Sequence, residues 1–538
     1  MPFDLKLLSP KRLALALFFY VTYRIAYRLV LWPYFLSPLR KVPGPPLGNP
    51  ISGHFPTILK EAAGVPQRRW LNKYGPVIRA VGPFGIERLV FINPEPLKRI
   101  LVTDAVDFPR PDFFRHMMGI CAGYGLFAAD GADHKQMRKA MNPAFSIANL
   151  SAQTDMYYDI IEDFMKVLDA EIDAESNPEE GKVLPVYARL NKVTLDIICK
   201  TAFGYDANTI HNNEDPLAVA YEELLDLQSG ENLANLFLAL TIPGMPTFFQ
   251  SRTAWRLRNF FKRFRATCVT IDSMNRVKAC SRAILQERIA EVSTSLSETG
   301  TTRQKDLISV MLQARMSENP DGKDIGAYFS DAMMAEHVLT FLLAGHETTA
   351  SCLAWTLWEL ANDHKSQSKL RAELQALVKE SPRPDFRQLK DSPFLDAVMM
   401  ESLRLWAPVP ATVRKAGRDV YLDGVFVPKD TILYIPILVF NTWKEHWGPD
   451  AESFNPERWF NLPDNYNSTF SLLSFTAGPH ACIGRLMSIM EMKAVLAMII
   501  TRYEFDRLSP DQVPKPTTGV TTKPADHMPL RVRKVLRV

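Results

Sequence analysis

A disulfide framework, a strong net charge, an internal repeat and a dinucleotide fingerprint are all missing from this chain of 538 residues. Each absence removes a class of protein. The six cysteines (Cys121, Cys199, Cys268, Cys280, Cys352 and Cys482) are scattered without paired spacing, so a disulfide scaffold is excluded and a reducing cytosolic face is favoured. Five of them fall in apolar or helical patterns and read as core fillers. With 63 basic and 59 acidic residues the formal charge is +4, too small to argue for nucleic acid. No zinc-finger spacing and no basic run interleaved with aromatics occurs. No flavin or nicotinamide fingerprint occurs either, so a redox reaction here would draw its electrons from a separate protein.

What is present fits a folded globular protein: 47% hydrophobic and 23% charged residues. The length suits one large or two medium domains. The N-terminus carries an apolar stretch over 13–32, about 20 residues and roughly 30 Å of helix, just enough to span hydrocarbon. Arg24 and Arg28 are spaced i, i+4 on one face and could snorkel towards headgroups. No small-x-small cleavage site follows, which favours a retained anchor over 1–36 rather than a removed signal. The proline- and glycine-rich stretch 37–50 reads as a stiff break before a folded region over 51–538.

The chain then reads mostly α with smaller β-sheets. A helix is expected over 67–74, two strands over 76–81 and 87–92, and a short helix over 94–102. A long irregular loop is expected over 107–131, rich in Phe, Met and Gly. From His134 to about residue 290 the pattern is helical, interrupted by an apolar, proline-broken stretch over 233–249. Arg252, Arg256, Arg258, Lys262 and Arg263 follow it, so it reads either as core or as a second membrane-touching patch. Residues 300–305 read as a polar connector. A long helix is expected over 327–362 and another over 395–406. An extended segment over 408–414, a hairpin over 421–428, a strand over 431–437, a loop with a charged pair at Glu457 and Arg458, and a helix over 486–503 complete the reading.

Two places break local rules. The first is Ala344-Gly345-His346-Glu347-Thr348-Thr349, a polar cluster inside an apolar helix. A buried carboxylate needs a partner or a purpose, and glycine in mid-helix costs about 1 kcal/mol against alanine. The second is Phe475-Thr-Ala-Gly478-Pro-His480-Ala-Cys482-Ile-Gly484-Arg485, which opens directly into a long apolar helix. A thiolate at a helix N-terminus gains from the dipole and from backbone N–H groups, and glycines let the backbone approach something large and flat. A buried structural thiol in a turn fits this stretch equally well when it is taken alone.

In this order, these pieces resemble the cytochrome P450 superfamily over residues 40–538. The cysteine loop is similar to the family's Phe-x-x-Gly-x-Arg-x-Cys-x-Gly signature at Phe475, Gly478, Cys482 and Gly484. Ala344, Gly345, Glu347 and Thr348 match its Ala/Gly-Gly-x-Asp/Glu-Thr element. Glu401-x-x-Arg404 and Pro456-Glu457-Arg458 match the remaining two. The anchor and hinge are similar to the microsomal eukaryotic branch, and the wording of the motifs to fungal members.

The resemblance implies the P450 fold, with a long central helix over a heme and a helix-rich domain beside a small β-rich one. It implies that Cys482 is the axial thiolate of the heme iron, pushing electron density towards O–O cleavage. Phe475, Gly478 and Gly484 would shape the ligand loop. Glu347 would link to bulk solvent and, with Thr348, deliver protons on the opposite face. Glu401, Arg404 and Arg458 would form a buried charge network. His134 with Arg138, Arg414 and His480 would meet the heme propionates. His134 stands where Trp is commonest and His480 where Arg is, and both can still donate to a carboxylate. Ala344 replaces the Glu of the fatty-acid ω-hydroxylase branch, so heme b is expected to be held non-covalently. Phe113, Phe114, Met117, Phe341, Ala344, Val409, Ala411 and the turn near Gly519 would line an apolar substrate pocket.

A monooxygenase acting on a lipophilic small molecule follows, with a terpenoid, sterol-like, fatty or xenobiotic substrate. NADPH–cytochrome P450 reductase would be the electron donor, cytochrome b5 a second candidate, and membrane lipid a further partner. Lys135, Lys139 and Arg485 could meet an acidic protein, and a solvated basic surface accounts for them equally well. The expected location is the endoplasmic reticulum membrane, facing the cytosol. A heme-thiolate enzyme that rearranges its substrate without oxygen, and a non-enzymatic heme or membrane scaffold, are the alternatives.

Overall fold

A computed structural model describes residues 10–212, 214–226, 245–249, 251–258, 260, 262–299, 306–316, 329–464, 466–517 and 520–535. The expected connector at 300–305, Gly519 and most of the apolar stretch over 233–249 lie outside the described residues.

In chain order the principal elements are helix α1 (Pro10–Ala26), strands β1 (Val77–Val81) and β2 (Glu87–Phe91), and helices α2 (Asp112–Ala122), α3 (Gly131–Met141) and α4 (Thr154–Asp173). Strand β3 (Lys182–Pro185) and helices α5 (Val186–Phe203), α6 (Lys262–Thr299), α7 (Asp331–Asn362), α8 (His364–Glu380) and α9 (Pro393–Leu405) follow. Strands β4 (Thr412–Lys415), β5 (Val420–Leu422), β6 (Val425–Val427) and β7 (Ile432–Ile435), helix α10 (Arg485–Arg502), and strands β8 (Tyr503–Asp506) and β9 (Pro529–Lys534) complete the list. The architecture is mostly helical with small sheets, as expected. The chain divides into two units: Met1–Pro111 with Ala411–Pro436, and Asp112–Pro410 with Ile437–Val538.

The first unit holds a four-stranded sheet in the order β1-β2-β7-β4. Only the β2–β7 pair is parallel. The β5–β6 hairpin turns through Asp423 and Gly424, at φ 49° and 72°, the two left-handed residues that a two-residue hairpin favours. The helical run Pro10–Leu36 of 27 residues is long and apolar enough to cross a membrane, and its apolar window is unburied. Its far end is stitched to the sheet. Glu87 accepts from Trp32 Nε1 at 2.8 Å and Ser37 Oγ at 2.7 Å, and pairs with Arg79 at 2.6 Å. Arg79 also donates to Pro33 O at 2.6 Å, and its own N–H donates to Pro43 O at 2.8 Å. The proline-rich stretch is therefore laid against β1.

The second unit packs its helices around α7. Every residue of α7 between Ala350 and Trp358 is buried, and α7 makes its most extensive contact with α5. Gly345 is explained by that crossing: a Cβ there would stand 2.7 Å from Ile198 Cδ1. The expected loop over 107–131 is corrected. Its Phe- and Met-rich part is helix α2, started by Pro111 and by Asp112 in the first turn. The charged pair expected at Glu457 and Arg458 is also corrected, because the two side chains part. Glu457 meets Lys369 at 2.5 Å, while Arg458 turns inward to Glu401 and Asp450.

Candidate functional site

The cysteine loop is a tightly bonded turn. Cys482 N donates to Phe475 O at 2.9 Å, Ala481 N to Gly478 O at 3.0 Å, and Thr476 Oγ1 to His480 O at 3.0 Å. Gly478 takes φ 71° and Thr476 φ 54°, the latter a strained value for a residue with a Cβ. Helix α10 begins three residues after the cysteine. Burial pushes the Cys482 thiol up. The Gly484 N–H, the guanidinium groups of Arg138 and Arg485, and the Arg485 N–H pull it down. Yet Cys482 is exposed by surface area. Both hold for a side chain that lines a hollow within surrounding protein.

Helix α3 supplies the flanking cations. Its Asp130 cap accepts from Gly131 N at 2.8 Å. Arg138 donates to Ala481 O. His134 is buried, at 5% exposure, and not an exposed helix histidine. Its ring centroid stands 3.9 Å from that of His480, whose Nε2 lies 3.3 Å from Asp130 Oδ1. Arg485 covers the Phe475 ring at 5.7 Å. Lys135, Lys139 and Arg485 are exposed.

Behind the loop lies the charge network, wholly buried at its Glu401–Arg404 centre. Glu401 and Arg404 are each 0% exposed and bond bidentately, at 2.8 Å for both contacts. Glu401 also accepts from Asn455 N at 2.9 Å, Trp459 Nε1 at 3.0 Å and Arg458 Nε at 3.4 Å. Arg404 donates to Asn441 O at 3.1 Å and Ser453 O at 3.2 Å, and to Ala451 O. Asn441 then bonds Leu473 N at 2.9 Å and Ser474 Oγ at 2.8 Å. The network thus fixes the chain just before Phe475. The i, i+3 spacing of Glu401 and Arg404 is the same for a surface pair as for a buried one. Burial makes this pair a foundation for the loop. Asn441, Asp450 and Trp459 carry no local signal and were not anticipated.

On α7, Ala344 is the one exposed residue between His337 and Ala361, and Thr348, one turn on, is half-buried. Thr348 Oγ1 donates to Ala344 O at 2.7 Å, which leaves its oxygen lone pairs as an acceptor. Glu347 is 2% exposed, with Lys523 Nζ at 3.1 Å and Thr521 Oγ1 at 2.8 Å on its Oε1. The expected open link from Glu347 to solvent is therefore replaced by a buried ion pair. Neither Lys523 nor Thr521 is signalled locally in the sequence.

Phe113, Phe114 and Met117 lie half-buried on α2, and the Phe114 ring meets that of Phe127 at 6.4 Å, tilted by 53°. Thr340 Oγ1 ties the end of α2 to α7 through Ala122 O at 2.7 Å. Phe341 is packed against Phe145 at 5.6 Å and His337 at 6.5 Å. Val409 is half-buried in the same unit. Ala411 and Arg414 belong to the other unit. Arg414 is buried there, donating to Val413 O at 2.8 Å and Thr412 Oγ1 at 3.2 Å.

Among the described residues no group of three or more His, Cys, Asp or Glu could hold a bare metal ion. A heme asks for less, since its ring brings four ligands of its own. The residues fit it. Cys482 is an accessible thiol with N–H groups aimed at it, and Arg138 is a cation beside it. A Cβ at Gly484 would meet nothing nearer than Phe145 at 4.0 Å, so protein packing does not demand glycine there. The opening at Ala344 and Thr348 breaks an otherwise buried helix. The other cysteines suit no such role: Cys199, Cys268 and Cys352 are buried, and burial pushes the Cys121 and Cys352 thiols up to about 12.

Comparisons with known proteins agree. The chain is 30% identical to cytochrome P450 monooxygenase 205 of Postia placenta, over 90% of this chain and 89% of that protein. It is 26% identical to cytochrome P450 monooxygenase FUM15 of Gibberella moniliformis, over 96% and 92% of the two chains. It is 28% identical to ganoderic acid synthetase CYP5150L8 of Ganoderma lucidum, over 87% and 88%. The family model described as "Cytochrome P450" matches residues 43–530, and the chain belongs to that family of heme-dependent monooxygenases.

Proposed function

We propose that the protein inserts one oxygen atom of O₂ into a lipophilic small molecule, using electrons from a separate NADPH–cytochrome P450 reductase, with cytochrome b5 as a second donor. The observation that carries this is Cys482: an accessible thiol at the start of α10, supported from behind by a charge network with a fully buried Glu401–Arg404 centre. When bound, heme b supplies the iron at which O₂ is activated. Cys482 Sγ would hold its iron, and Ala344 offers no carboxylate for a covalent link to the ring. Arg138, His134 and His480 would meet its propionates.

The chain's own residues do the rest. The Gly484 and Arg485 N–H groups and the Arg138 and Arg485 cations stabilise negative charge on Sγ. Thr348 Oγ1 gives its proton to Ala344 O, so it accepts a hydrogen bond from water or a reacting O–H on its open side. Glu347, the preceding residue, supplies the carboxyl group for proton transfer at that position. Phe113, Phe114, Met117, Phe341, Ala344, Val409 and Ala411 present apolar surface without a fixed charge, which supports a terpenoid, sterol-like, fatty or xenobiotic substrate.

The run Pro10–Leu36 supports an anchor over 1–36 in the endoplasmic reticulum membrane, with 37–50 as the hinge and 51–538 as the cytosolic catalytic region. Exposed Lys135, Lys139 and Arg485 suit an acidic redox partner.

A reduced CO-difference spectrum tests the assignment. The protein should show the thiolate-type Soret band, and Cys482→Ser should lose it; retention of the band in that variant removes Cys482 from the iron. Turnover that proceeds without NADPH and O₂ would overturn the monooxygenase reading.

A further inference from the structure

The C-terminal segment crosses α7 beside Glu347 and Thr348 and is fastened along one face. Thr521 Oγ1 donates to Glu347 Oε1 at 2.8 Å, and Lys523 Nζ lies 3.1 Å from the same oxygen. Between these two residues, Thr522 O accepts from Ser351 Oγ at 2.7 Å and from Trp355 Nε1 at 2.6 Å. Glu347, Ser351 and Trp355 are spaced i, i+4, i+8, one above another on a helix. On its other side Thr522 N donates to Pro408 O at 2.8 Å. Three consecutive residues thus grip three turns of α7.

Ser351 and Trp355 already hold the backbone of this strap. An apolar residue at 523 would serve that purpose as well, since replacing a buried ion pair by packed apolar groups is often neutral or stabilising. Here the pair is retained, with the Lys523 side chain 9% and the Glu347 side chain 2% exposed, next to the hydroxyl that faces the hollow. The other ionisable groups that feel the Glu347 charge are Tyr187 of α5, Tyr221 of the helix Pro216–Asp226 and His346 of α7 itself. Burial raises both phenols, helped by the Glu347 charge at Tyr187 and by Cys199 and then Glu347 at Tyr221, and burial lowers His346, so all three are neutral near pH 7. Among the described groups in this set, Lys523 is the cation.

We propose that Lys523 and Thr521 are positioning residues for proton delivery. They hold the Glu347 carboxylate by Oε1, which sets where its second oxygen points relative to Thr348. The inference rests on the monooxygenase reading above.

The test uses the full-length holoprotein with its reductase and no added substrate, so the identity of the substrate does not enter. Electrons from NADPH then leave as hydrogen peroxide, at two per O₂, or as water, at four per O₂. Water formation needs the proton that Glu347 and Thr348 deliver. Lys523→Met should keep the CO spectrum while the peroxide formed per NADPH rises towards its stoichiometric ceiling, and Lys523→Arg should restore most of the original ratio. An unchanged ratio in Lys523→Met overturns the proposal and leaves the strap a structural fastening. Should Lys523→Met lose its CO spectrum, Thr521→Val removes one donor only; a raised peroxide fraction supports the proposal and an unchanged one overturns it.

A second readout is independent of turnover. In thermal unfolding the drop for Glu347→Gln/Lys523→Met should not exceed that of the worse single variant, and additive drops mean the two side chains are uncoupled, which also overturns the proposal. Absence of the thiolate CO band in the unmodified protein would instead overturn the heme-thiolate reading, while the thermal cycle would still report on the pair.

Discussion

The rings of His134 and His480 stand 3.9 Å apart, one on α3 and one two residues before Cys482. The two positions where this chain departs from the commoner residues of its family are therefore in contact, and Asp130 at the α3 cap meets His480 from outside. The two substitutions form one local arrangement.

That arrangement can be tested through Asp130. Asn caps a helix as well as Asp does, so Asp130→Asn keeps the cap and removes only the charge facing His480. Its thermal stability should stay within about 0.5 kcal/mol, while heme transfer to an acceptor protein should change several-fold if the histidines hold the propionates. Asp130→Ala should cost about 1 kcal/mol more through the lost cap.

The charge network should tolerate no partial loss. Glu401→Gln leaves Arg404 buried without its counter-charge, and about 3–5 kcal/mol of stability should disappear. Arg404→Lys should fare nearly as badly. A lysine cannot reproduce the bidentate bond together with the bonds to the Asn441, Ala451 and Ser453 carbonyls. Urea midpoints measure both. Since Asn441 passes the network on to Leu473 and Ser474, heme retention should fall in parallel.

At Gly345 two effects oppose each other. Alanine gains about 1 kcal/mol of helix propensity, but its Cβ would stand 2.7 Å from Ile198 Cδ1 and Cγ1, and overpacking of this kind costs about 1–3 kcal/mol. Gly345→Ala should be destabilising overall. The double variant Gly345→Ala/Ile198→Ala should recover the overpacking part in a thermal double-mutant cycle.

Glu359, also on α7, gives the stability a pH signature. Burial raises its carboxyl from 4.5 to about 7, against the indole N–H of Trp406, which donates at 2.6 Å. Between those two pH values the folded chain keeps a proton that the unfolded chain has lost. The associated stability is full below 4.5 and is lost as pH rises towards 7, by up to about 3 kcal/mol. Glu359→Gln should remove that slope, as read from urea midpoints across the interval.

Local pattern in the sequence was enough for most of the elements and for the chemistry-bearing residue types. Periodicity gave the helices near 327–362, 395–406 and 486–503 and the strands either side of the Gly-Pro-Phe-Gly turn, because those signals are local. It also singled out Cys482 and the Glu347-Thr348 pair, because glycines, a charge and a thiol in those places break local rules. It missed helix α2, whose start lies in a Pro111-Asp112 step inside an aperiodic apolar run. It could not separate a surface Glu401–Arg404 pair from a buried one, since i, i+3 spacing is the same in both. Burial, which the tertiary packing decides, turned that pair into the support of the cysteine loop and sent Arg458 inward while Glu457 stayed outside. Only the tertiary structure brought His134 to His480, Asn441 to Ser474 and Lys523 to Glu347. Their partners lie far along the chain, and no local pattern encodes a contact between residues so widely separated in sequence.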